Sequence, residues 1–375
     1  MKRKDIVSEK AEKQFMALVR AGLWGKDAEM EFFPENEVPD WKGILYLGKT
    51  QAVLPLVYDG MTGLPEGKRL SGPSLMKLIA YVDRVEKLNA DLDAAAAKIC
   101  AGLAAEGISS VLLKGQGNAV LYPEPRHRQC GDIDLYVGQE NYLKAADVIR
   151  KWPEVHHEAK ETSKHVGFGF GHLEIELHKM AFEMADRKTD AAFRIWETEE
   201  LSSGRAEVLP GGEKVTVPPP MFNVIYVFCH GFHHFMESGL GLRQICDIAM
   251  LLHRYHSELD ANEMEARLKE FRLLDEWRLF VSLAVRHLGL PASEAPLYIP
   301  DKQDITDKLL QAIFDDGNFG HHKDLPDFSR KPALIRKLGN LGIHHVIFFR
   351  KLKFSPRQAW LYYLQMWRNG LKGLA

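Results

Sequence analysis

Cysteine is scarce in this chain. Cys100, Cys130, Cys229 and Cys246 are its only four among 375 residues, and no two form a Cys-x-x-Cys pair. That spacing argues against a zinc knuckle and a disulfide framework, and it makes reduced, cytoplasmic thiols the expectation. Long apolar runs are missing too: nothing reaches the roughly 18 uninterrupted apolar residues of a membrane span. The basic start Met1-Lys2-Arg3-Lys4 leads into Glu9-Lys10-Ala11-Glu12-Lys13 without an apolar stretch, so no secretory signal is expected. Net charge is only −2, which gives no global bias toward nucleic acid. A local absence is sharper. Between Lys331 and Ala375 there is no Asp or Glu, against nine Lys or Arg interleaved with Phe348, Phe349, Phe354, Trp360, Tyr362, Tyr363 and Trp367. Either this tail contacts a polyanion or an anionic membrane surface, or its aromatics pack on helices while its charges balance an acidic remainder.

What is present centres on Gly131-Asp132-Ile133-Asp134-Leu135-Tyr136. In a strand, successive side chains alternate between faces, so Asp132 and Asp134 share one face roughly 6 to 7 Å apart while Ile133 and Leu135 enter the core. Two carboxylates on one patch repel unless a cation lies between them, and hard divalent ions, Mg²⁺ above all and Mn²⁺ next, suit oxygen ligands. Upstream, Ser110-Val111-Leu112-Leu113 reads as a buried strand that breaks at Lys114-Gly115-Gln116-Gly117 before a helical run. Such a strand-to-helix turn offers backbone amides to phosphate. Downstream, His172 to His178 alternates polar and apolar residues, placing Glu174, Glu176 and His178 on one face of a second strand. That strand can bring a third carboxylate to the same metal. Glu174 reads as supporting or solvent-facing. His178 reads as a residue that orients a carboxylate, since Mg²⁺ prefers oxygen.

The ordered series Leu113-Lys114-Gly115, Leu121-Tyr122-Pro123, Arg126-His127-Arg128-Gln129-Cys130-Gly131-Asp132-Ile133-Asp134-Leu135 and Glu176-Leu177-His178 resembles an uncharacterised bacterial branch of the DNA polymerase β-like nucleotidyltransferase superfamily. The resemblance implies Asp132, Asp134 and Glu176 as catalytic metal ligands, with Lys114, Gly115 and Gln116 at the nucleotide-side turn. It implies Mg²⁺-dependent transfer of a nucleoside monophosphate from an NTP to a hydroxyl of an acceptor. A small molecule or sugar is the expected acceptor. The rivals are toxin-like addition of nucleotides to RNA and an inactive nucleotide-binding scaffold. One departure stands out: the wider superfamily has Gly-Ser at the turn where this chain has Gly115-Gln116, so Lys114 or backbone amides must replace the hydroxyl. Arg126 and Arg128 either pair with triphosphate or shield the acids. Arg243 either pairs with Asp247 one helical turn on or faces the triphosphate.

The remaining pattern is helical on both sides, giving an expected α+β fold with a small mixed sheet flanked by helical regions. The expected division is an N-terminal helical region at 1–106, an α/β core at 107–217 and a C-terminal helical region with the basic aromatic tail at 218–375. Phe15, Leu18, Val19, Gly22 and Leu23 keep one helical face, and Ser71 can cap a long helix running to Glu106. Gly167-Phe168-Gly169-Phe170-Gly171 alternates with period 2 and lacks a following helix, so it reads as a strand that hairpins onto the Glu176 strand rather than as a phosphate loop. Pro218-Pro219-Pro220 marks the clearest boundary. His230 and His234 share a helix face without a third ligand at a metal-binding spacing, and they read as lining the acceptor side or bridging helices.

Overall fold

The computed structural model describes residues 3–300, 304–320 and 333–372. Ser8 starts the first helix, α1 (Glu9–Trp24), by accepting a hydrogen bond from the Ala11 amide at 3.1 Å, and Gly25 ends it at φ 59°. The expected face of α1 is buried at Phe15, Leu18, Val19 and Leu23. After it come α2 (Trp41–Thr50), α3 (Leu54–Thr62) and the long α4 (Gly72–Ala105). Ser71 does precede α4, but its side chain makes no capping bond. The helices α1 and α3 cross with backbones in contact. A Cβ on Gly22 would lie 2.1 Å from Leu56 O, and one on Gly60 would lie 2.2 Å from Leu18 O.

Next come β1 (Val111–Leu113), α5 (Gly115–Ala119), β2 (Ile133–Tyr136), α6 (Gly138–Ile149), β3 (Val155–Glu158), β4 (His165–Phe170) and β5 (Leu173–His178). They form one mixed sheet in the order β1-β2-β5-β4-β3, in which only β2 and β5 run parallel. The expected hairpin is there: β4 turns through Gly171, at φ 60°, onto β5. Helix α7 (Arg187–Glu200) leads to a separate ribbon of β6 (Arg205–Val208) and β7 (Lys214–Val217). Pro220 opens α8 (Pro220–Glu237), followed by α9 (Leu242–Tyr255), α10 (Ala261–Glu270), α11 (Leu274–Leu288), α12 (Ile305–Asp316), α13 (Ala333–Leu352) and α14 (Pro356–Lys372). The fold is α+β, and among the described residues no helix is long and apolar enough to cross a membrane.

Two cores result. One lies against the sheet and draws on the second half of α4 (Leu92, Ile99, Leu103), α6 and the valines of β7. The other joins α1 to α3 with α7 to α12, so helices from both ends of the chain bury their apolar faces against each other. Helix α4 contributes to both.

The tail divides. Phe348 packs on Trp360 and Tyr363 with ring centroids 4.8 and 4.6 Å away, whereas Phe349, Trp360 and Trp367 keep substantial exposure. Lys351 overturns its place in a basic patch. It is 2% exposed, its Nζ lies 2.8 Å from Asp316 Oδ2, and it sits over the Phe235 ring at 3.6 Å. Its long stem and the cation–π contact make it a packing residue. Lys331 lies outside the described residues.

His127 ties α3, α4 and the loop before β2 together. Its Nδ1 lies 2.8 Å from Asp59 and its Nε2 2.7 Å from Glu86. Burial alone would lower its pKa, but the two carboxylates outweigh that and raise it from 6.5 to about 9. A raised histidine stabilises the fold below its unfolded pKa and loses that contribution as pH rises through the folded one. Glu86 faces solvent and screens its half of the interaction. We therefore expect urea unfolding between pH 6 and 9.5 to show a loss on the order of 1 to 2 kcal/mol that His127→Gln lacks; parallel pH profiles for the two proteins would refute the assignment.

Candidate active site

Directly after β1 the chain reverses. Lys114 adopts φ 47° and ψ −137°, and Gly115 has φ 40°. For a residue with a Cβ this region costs on the order of 1 to 3 kcal/mol and persists only where its surroundings hold it. Here the side chain is held: Nζ lies 3.0 Å from Asp134 Oδ2 and donates to His230 Nε2 at 3.0 Å. The predicted strand-to-helix turn is thus a strained cradle that delivers an ammonium to the acidic strand.

The parallel pairing of β2 and β5 sets Asp134 opposite Glu176 and Ile133 opposite Ile175. With a period of two, Asp132, Asp134 and Glu176 fall on one face while Ile133, Leu135, Ile175 and Leu177 are buried in the core. One oxygen from each of the three carboxylates lies within 4.8 Å of the others. Glu174 is exposed, outside this group.

The three acids are not equivalent. The neighbouring Asp134 charge, with burial, pushes the Asp132 carboxyl up to about 6. Burial would raise Asp134 as well, yet Lys114 and His178 outweigh it and hold that carboxyl well below the usual range. Burial opposes ionisation of Glu176 also, and the hydrogen bond with His178 reverses the sign. Asp134 therefore has positive partners, while Asp132 is short of one. A divalent cation supplies what is missing, and an all-oxygen set suits a hard ion, so these residues fit the metal that the sequence reading anticipates.

They line a cleft of about 250 Å³. Its basic side comprises Lys114, Lys164 and Arg243, and α8 adds His230, His233 and His234. His234 Nε2 lies 3.3 Å from His230 Nε2, while His233 contacts Tyr362 and Glu237 at 3.0 and 3.1 Å. Burial and the nearby Lys114 ammonium depress His230, which leaves it a neutral acceptor for that ammonium.

Three residues expected at the nucleotide are engaged elsewhere. Gln116 is 1% exposed, and its amide donates to Asn89 Oδ1 at 3.1 Å. Asn89 in turn donates to the carbonyls of Arg126 and Arg128 at 2.6 and 2.8 Å. The departure from Gly-Ser therefore pins the loop before β2 to α4. Arg126 lies 3.8 Å from Asp93, and it is not part of the cleft wall. Arg128 reaches the wall, but its guanidinium grips Asp247 in a bidentate pair at 2.7 and 2.7 Å, with both side chains almost fully buried. Of the two readings of Arg243, pairing with Asp247 along α9 loses its partner to Arg128. Arg243 instead donates to the Gln129 carbonyl and lies close enough to Asp132 to feel its charge.

Lys164 and His165 belong to the cleft and were missed. Their signal was available, because a hairpin through Gly171 sets His165 directly opposite His178. Lys164 has no ion-pair partner among the described residues, and burial, with Lys114 nearby, lowers its pKa.

A family model described as "Uncharacterised nucleotidyltransferase" matches residues 37–289. Comparison with curated proteins returns no match. Among solved structures, an antigenic nucleotidyltransferase-like protein from Paracoccidioides brasiliensis is similar at 12% identity and a TM-score of 0.35, over 56% of this chain and 94% of that one. With the family model spanning well over half of its length, and with the acidic strands inside that span, the chain belongs to the uncharacterised nucleotidyltransferase family and is a transferase of that kind.

Proposed function

We propose that this cleft transfers a nucleoside monophosphate from an NTP to a hydroxyl of a small acceptor, with Asp132, Asp134 and Glu176 holding Mg²⁺ and with Mn²⁺ as the substitute. The observation that carries the reading is the meeting of three carboxylates within 4.8 Å in a cleft that also presents Lys114, Lys164 and Arg243. When bound, the ion neutralises phosphate charge and lowers the pKa of the attacking hydroxyl. The chain's own residues do the rest by position and charge. Lys164 and Arg243 offer cations to phosphate oxygens. Lys114 keeps Asp134 ionised, and His230 fixes the Lys114 ammonium from the other side.

The near-neutral overall charge of −2 favours a sugar or other small acceptor over RNA. A cytoplasmic setting, where NTPs and Mg²⁺ meet reduced thiols, agrees with this reading. The first test is thermal. Mg²⁺ or Mn²⁺ should raise the melting temperature, more so with an NTP, by up to about 2.7 kcal/mol of stabilisation at a hundred times Kd. An equal shift in an Asp132→Ala, Asp134→Ala double variant would remove the metal assignment. Incubation with each labelled NTP and an acceptor pool then separates enzyme from scaffold, since the scaffold binds without transfer.

A further inference from the structure

We infer that His178 and His165, with Glu176, form a nitrogen-bearing cation site beside the three carboxylates, suited to a first-row transition ion. The inference rests on the reading of Glu176 as an ion ligand and adds ligands to it. His178 is 3% exposed. Its Nδ1 lies 3.2 Å from the Met180 carbonyl, which can only accept, so that nitrogen carries a proton. The other nitrogen, Nε2, faces Asp134 Oδ1 at 3.0 Å and Glu176 Oε2 at 3.3 Å. Both are carboxylate oxygens. A ring lone pair set against two such oxygens is repulsive unless something positive lies between them. An imidazole that donates its far N–H to a backbone carbonyl is the usual posture of a metal-bound histidine.

The sheet brings up the other nitrogen. His165 and His178 are cross-strand partners, with ring centroids 4.8 Å apart, and Glu176 lies opposite Gly167. His165 Nε2 is 3.5 Å from Glu176 Oε1, and its Nδ1 is buried without a hydrogen-bond partner among the described residues. One ligand atom from each of His165, Glu176 and His178 lies within 4.8 Å of the others. Donors about 2.1 Å from a shared ion are about 3.0 to 3.4 Å from each other, close to the 3.3 and 3.5 Å that separate the Glu176 oxygens from His178 Nε2 and His165 Nε2. Imidazole nitrogen suits Zn²⁺, Fe²⁺ and Ni²⁺, and Mn²⁺ follows Mg²⁺ toward oxygen but stands above it in affinity for nitrogen, so it serves as the probe.

The test uses Mn²⁺ alone, on the full chain, read by electron spin-echo modulation and by titration. The wild type should show ¹⁴N coupling from imidazole. His178→Gln should abolish most of that coupling and weaken Mn²⁺ binding at least about tenfold, while Asp132→Asn should retain it. Should His178→Gln fail to fold, as judged by circular dichroism, His165→Gln at its partly exposed position decides the matter by the same two readouts. Mn²⁺ bound without ¹⁴N coupling would overturn this inference and leave the three-carboxylate reading standing. No bound Mn²⁺ at all would overturn both.

Discussion

Glu176→Gln is expected to slow nucleotidyl transfer by a factor of about 10² to 10⁴, equivalent to 3 to 5 kcal/mol in the barrier, with the fold and most NTP binding intact. The change keeps size and shape and removes one negative charge. Glu176 stands directly opposite Asp134 across the parallel pair, and it belongs both to the three-carboxylate group and to the group with His165 and His178. Glu174 lies on the same strand two residues earlier, opposite Gly169 and exposed to solvent. Glu174→Gln should therefore change the rate less than about tenfold. Single-turnover rates with a labelled NTP, measured beside binding of the same NTP, distinguish lost chemistry from lost affinity. If the two variants behave alike, or if Glu176→Gln retains near-full activity, another acid completes the site.

Asp247→Asn should destabilise the protein by about 3 to 5 kcal/mol in urea unfolding. Arg128 and Asp247 form a bidentate pair shielded from water, and the Tyr122 hydroxyl donates to the same Asp247 oxygen at 2.7 Å. Removing one partner leaves a guanidinium buried without its counter-charge, and that residual penalty, more than the lost attraction, dominates the cost. Because the pair connects the loop carrying Asp132 to α9, its loss should also loosen the metal ligands. An Arg128→Met, Asp247→Leu double variant removes both charges and should recover most of the stability. A loss below about 1 kcal/mol for Asp247→Asn would show that the pair is replaceable by water.

The alternation of residues 132–135 and 173–178, and the glycine between two such runs, determined the acidic faces, the hairpin and the small mixed sheet. These are local properties. A period of two decides which side chains share a face whatever the rest of the chain does, and the helical spacing of Phe15, Leu18, Val19 and Leu23 settles α1 in the same way. Which distant group each polar side chain would meet was not local. Arg128 finds Asp247 at a sequence distance of 119, although Arg243 is one helical turn away, and it meets both carboxylate oxygens there. Gln116 likewise meets Asn89, and Lys351 meets Asp316, partners brought close only by the tertiary fold. Periodicity marks a face as apolar without naming the face it will cover, so the shared core of N- and C-terminal helices was also decided only by packing. His178 combines the two: its strand position was legible from the sequence, but the Met180 carbonyl behind it and the two carboxylates before it are set by the folded hairpin and the neighbouring β2.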